Sequence, residues 1–336
     1  MNTSIRRRRT ATVVAASLGA TLFLAGCGSS DEPAGADPSG SGSEGYPVTV
    51  DSAHGEVTVD QEPERIVVIG TDIIDLLHSI DVQPVAFSGY GDPDEEAMLA
   101  AYPWVTGLYT GQFDATLVTA EYKADPEAIA LHEPDLIIGT PYYIEEQQYE
   151  QLSAIAPTYV VPSSSAGWEW TDTLSALGNL TGKSEEATQA IAAVEDEFTA
   201  ARDRLTGLQG STLSIADYWD GSLRLMTAFS WIQDLGLTPA ENQPGAGSAF
   251  ETLSLENLDQ FDGDLAFMIT YSEEDRASLE ADPRYAALPS VEGANLFFID
   301  RSVIDAGVGP GPASLSWLLE RILPLLEASE LNAGGQ

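Results

Sequence analysis

The sequence is 336 residues long, with 53 acidic residues against 14 basic ones and a formal charge of −39 at neutral pH. So acidic a chain repels nucleic acid and anionic lipid head groups, which excludes DNA or RNA as partners. A single cysteine excludes a disulfide within the chain, and the length exceeds that of one typical domain.

Arg6 to Arg9 are followed by a run of apolar and small residues from Ala11 that ends Leu24-Ala25-Gly26-Cys27. This is the layout of a secretory signal over residues 1–26, too short and wrongly flanked for a membrane span. The last four residues resemble the bacterial lipobox, which implies cleavage before Cys27, its acylation, and anchoring on the outer face of the cell membrane. Four basic residues and no acidic ones precede Cys27, so the remaining chain sets ten cations against 53 anions, a formal charge of −43. Residues 27–45 are largely Gly, Ser, Pro, Asp and Glu and read as a flexible tether.

The folded body is expected as two α/β lobes, residues 46–183 and 207–330, on either side of one long helix over 184–206. Val48-Thr49-Val50 and Val57-Thr58-Val59 form a hairpin with His54 in a solvated turn. The run Ile66 to Ile69, a helix from Thr71-Asp72 to about Ile80, and Pro84 to Phe87 make a βαβ unit. Loops and a short helix over 95–101 follow, then helix 126–132, strand 136–138, helix 144–155, strand 159–161 and helix 168–180. His78 and His132 fall on helices, as surface or capping residues.

In the long helix, Ala187, Ala190, Ile191, Val194, Phe198, Ala201 and Leu205 recur in steps of three and four. Ser184 is placed to cap its start, Glu185, Glu186, Arg202 and Arg204 suit the helix dipole, and Gly207 and Gly210 end it. At the rise of an α-helix it spans roughly 33 Å, enough to bridge two lobes. Beyond it come strands 212–216 and 223–225, helices 230–235 and 254–260, strand 265–269, helix 273–280, strand 296–299 and helix 312–326.

The two halves repeat. Ile80-Asp81-Val82-Gln83-Pro84 matches Leu235-Gly236-Leu237-Thr238-Pro239. Further on, Glu127 stands before Asp135-Leu136 at the same spacing as Glu256 before Asp264-Leu265. The blocks PERIVVIG, LLHSIDVQP, EAIALHEPDLIIG, LSAIAPTYVV, LSLENLDQFDGDLAF, YAALPSVEGANLFFID and GPASLSWLLERI resemble, in this order, those of bacterial substrate-binding proteins that serve iron-chelate and cobalamin import. The resemblance covers nearly the whole chain after Tyr46, and departs from the family at Ala294-Asn295, where a Gly-Arg is usual.

The resemblance implies a class III periplasmic-binding-protein-like fold, a monomer with a ligand cleft between the lobes, serving an ABC importer rather than catalysing a reaction. It implies a ferric siderophore or similar metal chelate as ligand, with haem or cobalamin as the alternative, and no cofactor. It also implies that Glu127 and Glu256 point outward and dock on arginines of the permease subunits.

Ligands of open α/β sheets lie off the carboxyl ends of strands. Strand ends supply Thr71, Tyr142 and Tyr143 in the first lobe and Tyr218, Trp219 and Tyr271 in the second. The loop leaving the first lobe adds Trp168 and Trp170, and Arg224 and Arg301 are cationic candidates. Such an aromatic set suits a large, flat, partly apolar ligand. His54, His78 and His132 are neither clustered nor at strand ends, so direct metal capture is not indicated. An exported hydrolase is the competing class, but no Gly-x-Ser-x-Gly elbow and no histidine after a strand supports it.

Overall fold

Ile66, Val67, Val68 and Ile69 are all buried, as a parallel strand covered on both faces requires, and the first lobe is built around them. The computed structural model describes residues 45–89, 94–162, 169–245, 251–261 and 263–334, so the signal segment, Cys27, the tether to residue 44 and Trp168 lie outside the described residues. Strands β1 (Val48–Ser52) and β2 (Gly55–Val59) form the expected antiparallel hairpin. Its turn is less solvated than expected. His54 is half-buried, with Nε2 3.1 Å from the Ile144 carbonyl and its ring stacked on Tyr149.

Strands β3 (Ile66–Ile69), β4 (Ala86–Ser88), β5 (Gln112–Phe113), β6 (Leu136–Gly139) and β7 (Thr158–Val160) form a parallel sheet in the order β5-β4-β3-β6-β7. The connecting helices are α1 (Asp72–Ser79), α2 (Glu95–Ala101), α3 (Pro126–Ala130), α4 (Glu146–Ser153) and α5 (Trp170–Leu180).

Helix α6 (Ser184–Arg204) runs between the lobes and buries Ala187, Val194, Phe198 and Ala201. Its N-cap is Lys183 and not Ser184, whose hydroxyl donates to Asn179 Oδ1 at 2.7 Å instead of capping the helix. At the other end Arg202 donates to the Asp234 carbonyl, and Arg204 Nε lies 2.6 Å from Glu327 Oε1. These bonds tie the last turn of α6 to the second half of the chain.

The second sheet contains β8 (Thr212–Trp219), β9 (Ser222–Leu225), β10 (Thr238–Pro239), β11 (Glu251–Ser254), β12 (Leu265–Thr270) and β13 (Leu296–Phe298). Its order is β11-β9-β8-β12-β13 with β10 also on β8; β8, β10, β12 and β13 are parallel, while β9 and β11 alternate in direction. Helices α7 (Ser230–Asp234), α8 (Glu273–Glu280), α9 (Pro289–Glu292), α10 (Arg301–Asp305) and α11 (Pro312–Glu327) accompany it. Residues Leu255–Gln260 form a 3-10 helix after strand β11, where the sequence pattern predicts one helix over 254–260.

Helix α11 returns from the second lobe to the first. The Asp75 carboxylate, 1 % exposed on α1, accepts from the Ala313 and Ser314 amides at 2.8 and 2.7 Å, at the positive end of α11. Burial pushes the Asp75 carboxyl up, and these amides act against that shift. Gly311 is needed there, because a Cβ would stand 2.7 Å from the same carboxylate. One cluster of buried apolar side chains runs from Val68 and Ile138 through Val194, Phe198, Leu318 and Ile322 to Leu213 and Ile215. Two smaller clusters lie on the far faces of the sheets. No helix among the described residues is long and apolar enough to cross a membrane.

Candidate functional site

Each sheet changes direction of winding beside its first strand, between β3 and β6 in one lobe and between β8 and β12 in the other. Crevices open at the carboxyl ends of strands at such points. In the second lobe the crevice is a cavity of about 590 Å³, lined by Asp217, Trp219, Asp220, Ser222, Arg224, Thr252 and Tyr271.

The local sequence explains why these side chains meet. Asp220 and Gly221, with φ of 48° and 76°, form a tight hairpin turn between β8 and β9. Counting back from that turn pairs Trp219 with Ser222, Tyr218 with Leu223 and Asp217 with Arg224. Period-two alternation puts Leu213 and Ile215 in the core shared with the helices, and the next residues on that face are Asp217 and Trp219. Thr252 of β11 stands opposite Arg224 and continues the row.

Asp217 is the centre of a polar network. Its side chain is 3 % exposed, and Arg224 Nε lies 3.0 and 3.1 Å from its two oxygens while Arg224 Nη2 also donates to it. Tyr271 donates its hydroxyl to Asp217 Oδ2 at 2.9 Å. Arg301, which opens α10, lies with Nη1 3.2 Å from the Tyr271 oxygen and 3.9 Å from Asp217 Oδ2, and its Nε donates to Asp305 at 2.7 Å. The hydrogen bonds to Asp217 raise the Arg224 pKa, and burial raises that of Asp305. Above this floor Trp219 is 65 % exposed and Tyr271 49 %, large rings left open where an apolar ligand surface can stack.

Of the residues expected from the sequence, Trp219, Arg224, Tyr271 and Arg301 are thus brought together. Tyr142 is also open at a strand end, in the first lobe, with its ring 6.1 Å from that of the exposed Tyr122. Three expectations are corrected by burial. Tyr143 and Tyr218 are each 1 % exposed and belong to the cores; Tyr218 lies between Asp217 and Trp219 on β8 and takes the opposite face, and Tyr143 turns inward in the loop after β6. Thr71 is fully buried beside Gly89, where a Cβ would stand 2.4 Å from its hydroxyl. Trp170 is half-buried against the shared core at the start of α5. Asp217 and Thr252 are absent from the expected set; the Asp-Gly turn gives the register of Asp217 opposite Arg224, while Thr252 comes in with edge strand β11.

Glu127 and Glu256 are both exposed at the starts of short helices. Asp125 caps α3 by accepting from the Glu127 and Ala128 amides at 3.0 and 3.1 Å. Among the described residues no three His, Cys, Asp or Glu side chains converge to hold a metal ion.

The family model described as periplasmic binding protein matches residues 66–303, which takes in both sheets and the network around Asp217. The chain is a member of the periplasmic binding protein family. Among its relatives, the probable siderophore-binding lipoprotein YfiY of Bacillus subtilis is 28 % identical over 265 residues, covering 75 % of this chain and 76 % of that protein. The ferric enterobactin-binding periplasmic protein FepB of Escherichia coli is 26 % identical over 279 residues, covering 75 % of this chain and 83 % of its own. A periplasmic solute binding protein from Mycobacterium smegmatis has the same fold, with a TM-score of 0.68 at 24 % identity, covering 83 % of this chain and 97 % of that one. The two α/β lobes with central sheets are therefore those of a class III binding protein.

Proposed function

We propose that the chain captures a ferric chelate of the siderophore class at the second-lobe cavity and delivers it to the permease of an ABC importer, without chemical turnover. The observation that carries this reading is the grouping of Trp219, Arg224 and Tyr271 over the buried Asp217, at the winding change of a binding-protein sheet. Open rings offer contact to the organic scaffold, and guanidinium and phenol hydrogens suit the oxygen atoms that such a ligand presents. A chelate supplies the oxygen ligands of its own iron, so its receptor needs contacts rather than a metal cage. The binding roles for which YfiY and FepB are named, siderophore and ferric enterobactin binding, point the same way.

In this reading residues 1–26 are a signal segment, a lipid on Cys27 holds the protein outside the membrane, and residues 27–45 tether the lobes. Tyr142 and the tryptophans Trp168 and Trp170 belong to the first-lobe side of the ligand region. Glu127 and Glu256 are the docking points for permease cations, one on each lobe.

Titrating the purified protein with ferric siderophores tests the reading by tryptophan fluorescence. A saturable quench of submicromolar affinity is expected, weakened more than tenfold in Trp219→Ala. No saturable response to any siderophore, haem or cobalamin would remove it, and an unchanged affinity in the variant would move the site away from the cavity.

A further inference from the structure

One guanidinium, that of Arg224, lines the cavity and a second, that of Arg301, stands beside it with Nη1 3.2 Å from the Tyr271 oxygen; the carboxylates around them cancel their charge. Arg224 faces Asp217, whose side chain is 3 % exposed and lies within 3.9 Å of Arg301 as well. Arg301 donates to Asp305 at 2.7 Å, and Asp220 lines the same cavity. Two cations therefore stand among three carboxylates.

The rest of the chain adds no cation to this balance. All ten Lys and Arg residues after Cys27 are described, and of these Arg224 alone lines the cavity, with Arg301 next to it. Arg65 and Arg202 donate to backbone carbonyls. The remaining six, Lys123 with Glu145 and Arg204 with Glu327 among them, pair with carboxylates. Segments 90–93, 163–168 and 246–250, outside the described residues, contain no Lys, Arg or His in sequence. Around the site lies a chain with a formal charge of −43 after Cys27, whose long-range field opposes the approach of an anion.

We infer that the ligand is a ferric chelate with no net negative charge, of the trihydroxamate class, and not a trianionic tricatecholate. This rests on the proposed function and narrows it. Each hydroxamate gives up one proton to bind iron, so three of them neutralise a ferric ion; each catechol gives up two, so three leave the complex with three negative charges. A neutral chelate meets the floor as a set of oxygen acceptors facing Arg224, Tyr271 and Arg301, with Trp219 against its scaffold. A trianion would have to shed its water against a floor whose cations are already matched by Asp217 and Asp305, and that loss has no electrostatic return.

The experiment titrates the purified full-length protein, by tryptophan fluorescence, with ferrichrome as the neutral trihydroxamate and ferric enterobactin as the tricatecholate. Ferrichrome is expected to bind at least a hundredfold more tightly. Raising the salt concentration is expected to strengthen the enterobactin complex, since screening relieves a repulsion. Asp217→Asn and, as a variant that leaves the Asp217 contacts in place, Asp305→Asn should each narrow the preference at least fivefold by uncovering one guanidinium charge. Equal or tighter binding of ferric enterobactin, or a preference unmoved by both variants, overturns the inference while leaving chelate capture standing. Saturable binding of neither compound, nor of any other chelate, overturns the proposed function together with it.

Discussion

In the first lobe Asp135 accepts from the amides of Glu64 and Arg65, both at 2.8 Å, and so fixes the entry to β3 from the loop before β6. In the second, Asp264 accepts from the amide and hydroxyl of Thr212 at 2.8 and 2.9 Å, and fixes the entry to β8 from the loop before β12. The ends of α1 and α7 also agree. Val82 N bonds back to Leu77 O and Asp81 N to His78 O, as Leu237 N does to Ile232 O and Gly236 N to Gln233 O, which is the same left-handed helix stop twice. The lobes part company at the other end of their strands. There the second sheet carries an Asp-Arg-Tyr network under an open tryptophan, and the first carries the exposed Tyr122 and Tyr142. Repetition is strict where side chains serve the backbone and lapses at the opposite strand ends, where the proposed ligand site lies, so a repeated scaffold can offer an asymmetric site.

Three experiments press on this comparison. The largest effect is expected from Glu127→Ala combined with Glu256→Ala, which should abolish chelate uptake in cells while chelate affinity stays within about twofold and melting is unmoved, since both residues are exposed. Normal uptake in the double variant would end the docking role, and a loss of chelate binding would place the pair at the ligand. Next is Gly236→Ala. Its φ of 78° disfavours a side chain, and a Cβ would stand 2.0 Å from Gln209 Oε1, whose amide nitrogen donates to Leu205 O and Leu235 O. A loss of about 2 kcal/mol in urea denaturation is expected. The smallest effect has the opposite sign. Asp81 occupies the matching position at φ 57° without glycine, so Asp81→Gly should stabilise the protein by about 0.5 kcal/mol, the left-handed strain relieved outweighing the added freedom of the unfolded chain. Destabilisation by Asp81→Gly would mean that the two stops are not equivalent.

Much of this plan can be read from residue order. The apolar runs Ile66–Ile69, Leu136–Gly139 and Leu265–Thr270, the stripe on α6, and the paired stops before Pro84 and Pro239 all declare themselves through period and turn chemistry. Strand β11 does not, because it is an edge strand with Leu253 as its one buried residue among Glu251, Thr252 and Ser254. Helix α10 is five residues long and too short to show a period. In the site, residue type points to Trp219, Arg224, Tyr271 and Arg301 but also to Tyr143 and Tyr218, because an aromatic near a strand end does not declare which way it faces. Applying the strand alternation from the Asp220-Gly221 turn separates outward Asp217 and Trp219 from inward Tyr218. The burial of Thr71 depends on the approach of Gly89 from another strand end, a tertiary fact with no local signature.

The return of α11 governs how the molecule can be dissected. Its amino end is held by Asp75 of α1, and Trp317 lies 5.5 Å from Trp104, so a helix that follows the second lobe in sequence forms the roof of the lobe that precedes it. Splitting the chain within α6 gives an amino-terminal fragment with an uncovered α1 and a carboxy-terminal fragment carrying a helix with nothing to lie on. On the ribosome, too, the amino-terminal lobe waits for α11 to emerge before its core is closed.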